Sequence, residues 1–308
     1  MFSKKLLIPL LSLSLLVTPA YSSHAAENAE AAKTSVEGQG MLSPSSSSES
    51  SESVFNGSGA GTSSEPVTDE KLETILKQVQ SQLPAENGTW AVFISDLVNG
   101  TEGSLNDQKM QAASLIKLYI MGAVYENYDQ ITGQYGRDSV DSNLYSMITV
   151  SDNDAANTLT TYLGGGDSAA GMQAVNSFCQ AHGYDQTHMG RMLLASNEND
   201  DNYTSVGDCG HLLQEIYKQD TSGYTHATDM FNLLKAQTRC NKIPAQLPEG
   251  VKTANKTGEL DNVENDAGII YDSKNDVVIV FMSQNLSSAG SAQNTIAPLS
   301  RTIYDYYN

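Results

Sequence analysis

The chain has 308 residues, with 17 Lys and Arg against 36 Asp and Glu, for a formal net charge of −19 at pH 7. That much negative charge repels phosphate backbones and speaks against a nucleic-acid partner. Apolar residues make up 39% of the chain, enough for a sizeable core in one or two domains, and no apolar run reaches the roughly 18 residues that cross a bilayer.

Residues 1–26 read as an export signal. Lys4 and Lys5 form a positive start, Leu6 to Val17 form an apolar stretch, and Ser23-His24-Ala25-Ala26 offers small residues for cleavage. The expected location is extracytoplasmic, secreted or in the cell envelope, with membrane contact only through this segment. Residues 27–68 are a low-complexity tether: Ser43 to Ser53 holds eight Ser, two Glu and one Pro. Such a stretch buries too little apolar surface to offset its ordering entropy. Its Gly57-Ser58-Gly59-Ala60-Gly61 run has no strand before it and no helix pattern directly after it, so it is not read as a phosphate loop. Three Lys and six Glu lie in residues 1–68, so residues 69–308 keep a net charge of −16, a solvated acidic surface.

From Asp69 to Leu83 the apolar positions Leu72, Ile75, Leu76, Val79 and Leu83 share one helical face, with Thr68 or Asp69 as cap and Pro84 and Asn87-Gly88 as the stop. Trp90 to Leu97 reads as a strand, followed by a hairpin turn at Asn99-Gly100. Residues 114–236 carry helical pattern almost throughout. Two late strands, Asp266 to Tyr271 and Val277 to Ser283, flank a turn at Asp272 to Asp276, and Ser291 to Tyr307 closes the chain as a helix with Ile296, Leu299 and Ile303 on one side. This order cannot build a parallel βαβ sheet. It predicts an α/β (α+β) fold in which an antiparallel sheet from both ends of the domain (69–113 and 237–308) carries flanking terminal helices and an inserted all-α part (114–236).

Three short motifs carry chemistry. In Ser114-Leu115-Ile116-Lys117, helical spacing brings the amine to the hydroxyl, and a Lys whose pKa is lowered by desolvation and a nearby cation can take the Ser proton. In Ser151-Asp152-Asn153, before a helical stretch, Ser151 can relay a proton and Asn153 can hold a substrate amide, while Ser151 or Asp152 can equally serve as an N-cap. In Lys256-Thr257-Gly258, on a strand edge, Lys256 and Thr257 suit a substrate carboxylate, Gly258 allows close backbone approach, and the Glu259 N–H can join that of Ser114 as an oxyanion donor.

Taken in the order S-x-x-K, S-D-N, K-T-G, the three motifs resemble the set found in class A β-lactamases and penicillin-binding proteins. The stretches Met147 to Leu159 and Ile243 to Leu260 are similar to class A text as well. The resemblance implies a β-lactamase/transpeptidase-like fold with the site between an α/β and an all-α part. It also implies a serine acyl enzyme acting on a β-lactam or a peptidoglycan stem peptide ending in D-Ala-D-Ala.

Two features depart from class A. The family's deacylating Glu lies in a pattern like R-x-E-x-x-L-N; here Arg191 and Asn197 match, but Leu193 stands at the Glu position and cannot accept a proton. Asn197 then belongs to the substrate-binding set, Asn202 falls roughly where the family has the acidic partner of the Arg, and Glu198 is the nearest substitute base. The interval from Ser114 to Ser151 is also short, which predicts an open cleft. Both features resemble the class A-like penicillin-binding D,D-peptidases, for which a long-lived acyl-enzyme is expected. A true β-lactamase with another base and a non-turnover β-lactam sensor use the same residues. The five His show no metal-ligand spacing, so no metal and no cofactor are expected. Cys179, Cys209 and Cys240 allow one bridge in three ways or three free thiols, and a monomer is expected.

Overall fold

The computed structural model describes residues 70–219 and 224–308; the expected export signal, the expected tether and the expected cap at Thr68 or Asp69 lie outside the described residues. The first helix, α1 (Glu70–Gln80), buries Leu72, Ile75 and Val79. Strand β1 (Thr89–Asp96) turns back into β2 (Thr101–Leu105) with Asp96 opposite Thr101. The turn is held by the Asp96 carboxylate, which accepts from the Val98 and Asn99 amides, and Gly100 supplies a φ of +69°.

The other end of the domain adds β5 (Lys252–Leu260), β6 (Val263–Tyr271) and β7 (Val277–Gln284), giving one antiparallel sheet in the order β2-β1-β7-β6-β5. The second of the expected late strands is β7. The first is the latter part of β6, which begins three residues earlier and pairs with β5. The last helix, α9 (Ala289–Tyr307), is capped by the Ser288 hydroxyl and buries Ile296, Leu299, Ile303 and Tyr307.

Two cores explain the burial. Helices α1 and α9 pack with Trp90, Val92, Ile279 and Phe281 on one side of the sheet, whereas Ala91, Phe93, Val278, Val280 and Met282 face a larger core built with the central helices. A strand covered on both faces loses alternation and reads as a continuous apolar run, as Val277 to Met282 does.

The central part holds α2 (Ile116–Glu126), α3 (Tyr128–Tyr135), α4 (Arg137–Thr149), α5 (Asn153–Leu163), α6 (Ser168–Ala181), α7 (Val206–Lys218) and α8 (Ala227–Lys235). It also contains β4 (Tyr203–Thr204), which pairs with β3 (Met110–Gln111), and α7 packs against β1, β6 and β7. Helix α2 is buried on every side from Ile116 to Tyr125, the signature of a central core helix. All three Cys are free thiols; Cys179 and Cys209 are buried and Cys240 is exposed.

Candidate active site

Ser114 lies in a single 3-10 turn, Ala113–Leu115, that runs into α2. In that geometry side chains three apart eclipse, so Lys117, the second residue of α2, reaches back until its Nζ is 3.1 Å from Ser114 Oγ. Because α2 is the core helix, Lys117 is fully buried. Burial is the main force lowering its pKa to about 7; Asp152 opposes the shift and Arg239 adds to it. Lys256, the cation expected from sequence, does not play that part. It is itself pushed far down by burial, then by Lys117 and Arg239. Both amines lie near one hydroxyl, Ser151 Oγ, at 3.1 and 2.8 Å, so they do not both carry charge.

Ser151 sits in the left-handed region with φ +62°, which aims both its carbonyl (2.6 Å) and its hydroxyl at Lys117 Nζ. Asp152, not Ser151, caps α5 by accepting from the Ala155 amide. This makes Asn153 the first helical residue and puts its Oδ1 2.7 Å from Lys117 Nζ. A neutral amine has two N–H groups and one lone pair. The acceptor-only Ser151 carbonyl and Asn153 Oδ1 take the two N–H groups, which leaves the lone pair for the Ser114 proton. Asn153 therefore orients the base through its oxygen and keeps its amide nitrogen for a substrate.

Lys256 comes from edge strand β5 and donates to Ser151 Oγ and to the Thr257 carbonyl at 2.7 Å. Ser151 Oγ thus bridges two amines, the position a proton relay needs. Gly258 passes so close to the nucleophile's turn that a Cβ there would meet the Ala112 carbonyl at 2.8 Å and the Ser114 amide at 3.2 Å. Buried Asn265 on β6 holds the same turn by donating to the carbonyls of Gln111 and Ala112.

Two cavities share Ser114, Asn153 and Glu259 in their walls. One, of about 130 Å³, adds Ser151, Thr257 and Arg239; the other, of about 350 Å³, adds Leu193, Leu194, Ala195, Asn197 and Leu260. Arg239 and Lys242 are functional neighbours that sequence reasoning missed. Arg239 donates to Glu259 Oε2 at 2.9 Å, while the fully buried Lys242 bridges Glu259 (3.0 Å) and Glu264 (2.8 Å). Burial raises the Glu259 carboxyl, but Lys242 and Arg239 outweigh it and hold the group below the usual carboxylate range. An ion-paired carboxylate of that kind is a poor base.

The segment holding Leu193 is fixed at both ends. Asn157 on α5 accepts from the Leu193 amide (2.8 Å) and donates to its carbonyl (3.0 Å). The acidic partner of Arg191 is Asp201, at 2.6 Å, not Asn202, whose Oδ1 instead accepts from the Gly190 and Arg191 amides. The shift by one residue follows from chain direction. The Asn202 carbonyl bonds the Ala112 amide, while Asp201 also takes the Gln111 side-chain amide at 2.9 Å. This ties the segment to the strand leading into Ser114. Asn197 lines the larger cavity, exposed, with its amide 3.5 Å from Asp201. Glu198 is exposed, and its residue is absent from the lining of either cavity.

The assembly of a buried, deprotonatable amine, a serine beside it and a second amine linked through a hydroxyl is chemically competent for acyl transfer. A family model described as "Beta-lactamase enzyme family" matches residues 71–138 and 134–307. No curated protein sequence matches the chain. Among solved structures, the chain is similar to PBP-A (22% identity, TM-score 0.67, covering 76% of this chain and 96% of that one). It is also similar to a PBP-A mutant solved as an acyl-enzyme complex with penicillin G (23%, TM-score 0.65, 76% and 96%). A third likeness is to a β-lactamase from Sphaerobacter thermophilus DSM 20745 (22%, TM-score 0.64, 76% and 96%).

Proposed function

The chain belongs to the β-lactamase enzyme family of serine hydrolases, and from that premise we propose that it is a penicillin-binding, D,D-peptidase-like acyl enzyme whose acylated form is long-lived. Neutral Lys117 takes the proton of Ser114 as Oγ attacks the carbonyl of a β-lactam or a D-Ala-D-Ala peptide. Ser151 passes a proton from Lys117 to the departing nitrogen as the C–N bond breaks. The oxyanion is held by the amides of Ser114 and Glu259, and the substrate carboxylate is received by Thr257 with Lys256 and Arg239 behind it.

One observation carries the slow second half of the cycle. Among the described residues lining the two cavities, Glu259 is the one carboxylate, and it is engaged by Lys242 and Arg239. Leu193 faces the larger cavity with an alkyl chain, so no unpaired carboxylate stands ready to activate water. Loss of a general base commonly costs about 10²–10⁴ in rate. The proposal includes export by residues 1–26 and action as a monomer on cell-wall stem peptides.

Intact-mass spectrometry after a penicillin pulse tests this reading. The expected result is a persistent adduct on the native chain, none on Ser114→Ala, and D-Ala release from a stem-peptide mimic. Rapid loss of the adduct with lactam turnover would instead select a true β-lactamase. A persistent adduct with no peptide cleavage would select a sensor. Labelling that survives Ser114→Ala would overturn the assignment of the nucleophile.

A further inference from the structure

The acyl chemistry leaves unused a hollow of about 370 Å³ between α4 and α8, floored by the junction of α2 and α3. Its floor is an aromatic stack. The Tyr125 ring lies against Tyr128 (5.4 Å, 27°) and against His226 (5.0 Å, 25°). Tyr125 is 8% exposed, lines the hollow, and makes no hydrogen bond through its hydroxyl among the described residues. Its oxygen still touches solvent, which leaves it free to bond a ligand in place of water.

The remaining lining is mostly polar. The Asp141 carboxylate accepts from the Tyr128 hydroxyl, and the Arg137 guanidinium lies over the same ring at 5.1 Å. Asp229 pairs with His226 at 2.9 Å. At the rim, Tyr145 is 56% exposed and has no ring partner among the described residues, so its face is open.

We propose that this hollow is a binding site for a neutral saccharide chain. Sugar hydroxyls both donate and accept. They can donate to the spare lone pairs of Asp141 and Asp229 and accept from the Tyr125 hydroxyl and the Asn232 amide. The open face of Tyr145 gives the apolar C–H side of a sugar ring its platform. An anion is repelled by a chain of net charge −19. Helix α4 runs from this hollow toward Ser151. At about 1.5 Å rise per residue, Asp141 lies ~12 Å along the axis from Thr149, so one helix links the hollow to the segment that carries Ser151.

This site goes beyond the acyl chemistry and does not depend on it. The test is calorimetric titration of the full-length protein with tri-N-acetylchitotriose and, in a second arm, with cellotriose. Acylation by a fluorescent penicillin is followed in parallel. Saturable binding of either sugar is expected, weakened about tenfold by Tyr145→Ala or Tyr125→Phe, with acylation unchanged in both variants. Tyr125→Phe keeps the stacked ring and removes only the oxygen. Binding of chitotriose alone assigns recognition to the N-acetyl group; binding of both sugars assigns it to the hydroxyl pattern. No saturation by either sugar at ~10 mM, or binding that neither variant changes, overturns the proposal. A failure of acylation would count against the proposed function and leave the sugar result readable.

Discussion

The two cavities beside Ser114 are built to different standards. The smaller is polar, and its hydroxyl and amine groups converge: Lys117 Nζ alone meets Ser114, Ser151 and Asn153 within 3.1 Å. The larger has a wall of Leu193, Leu194, Ala195 and Leu260, and its acidic residue is held by two cations. Forming an acyl-enzyme needs a base on the hydroxyl, whereas clearing it needs a base on a water. Under the proposed function, the contrast assigns these two requirements to different walls of one cleft.

The largest expected effects test the well-built side. Lys117→Ala removes the base and should slow acylation about 10²–10⁴-fold. With the native chain, acylation should climb as pH rises through about 7, because the neutral amine grows as the proton leaves. At pH 5 the rate should be roughly a hundredfold below its plateau. Stopped-flow acylation across pH checks both points, and a flat profile for the native chain would remove Lys117 as the base.

Leu193→Glu sharpens the other side. Asn157 holds position 193 through backbone atoms only, so the loop should keep its course while gaining a carboxylate at the cavity wall. The adduct lifetime should fall by up to about 10²–10⁴-fold, read by mass spectrometry over time. An unchanged lifetime would mean that water access, not a missing base, limits release.

The remaining predictions concern stability, and the smallest of them falls on a surface pair. Arg191 and Asp201 are 13% and 5% exposed, so Asp201→Ala leaves a largely buried cation without its partner and should cost up to ~3 kcal/mol. Arg301 and Asp305, a surface pair four apart on α9, should give at most about 1 kcal/mol when Asp305 is replaced by Ala. Urea unfolding of the two variants compares them directly.

Much of this was legible before any coordinates. The terminal helices, the β1–β2 turn and the β6–β7 hairpin follow from local periodicity and turn chemistry. Ser114, Lys117, Ser151, Asn153, Lys256 and Gly258 sit in short motifs whose spacing carries their chemistry, and the structure brings them together. What stayed hidden was long-range pairing. Arg239 and Lys242 precede the K-T-G strand in an unremarkable stretch, and their roles depend on Glu259 and Glu264, which only the β5–β6 hairpin brings within reach. The choice of Asp201 over Asn202 turns on which way one residue faces beside β3 and β4, and two adjacent polar residues give no pattern to decide it. The 3-10 turn at Ser114 was likewise invisible, since its spacing of three suits an α-helix equally well.

The backbone at Ser151 has a further consequence. A non-glycine residue in that conformation costs ~1–2 kcal/mol, and here that conformation turns both the carbonyl and the hydroxyl toward Lys117. Glycine at this point would relieve that cost but remove the oxygen that joins the two amines and leave buried Lys256 one partner short. Strain and proton relay therefore reside in the same residue, so the backbone cost there cannot be removed without taking the relay with it.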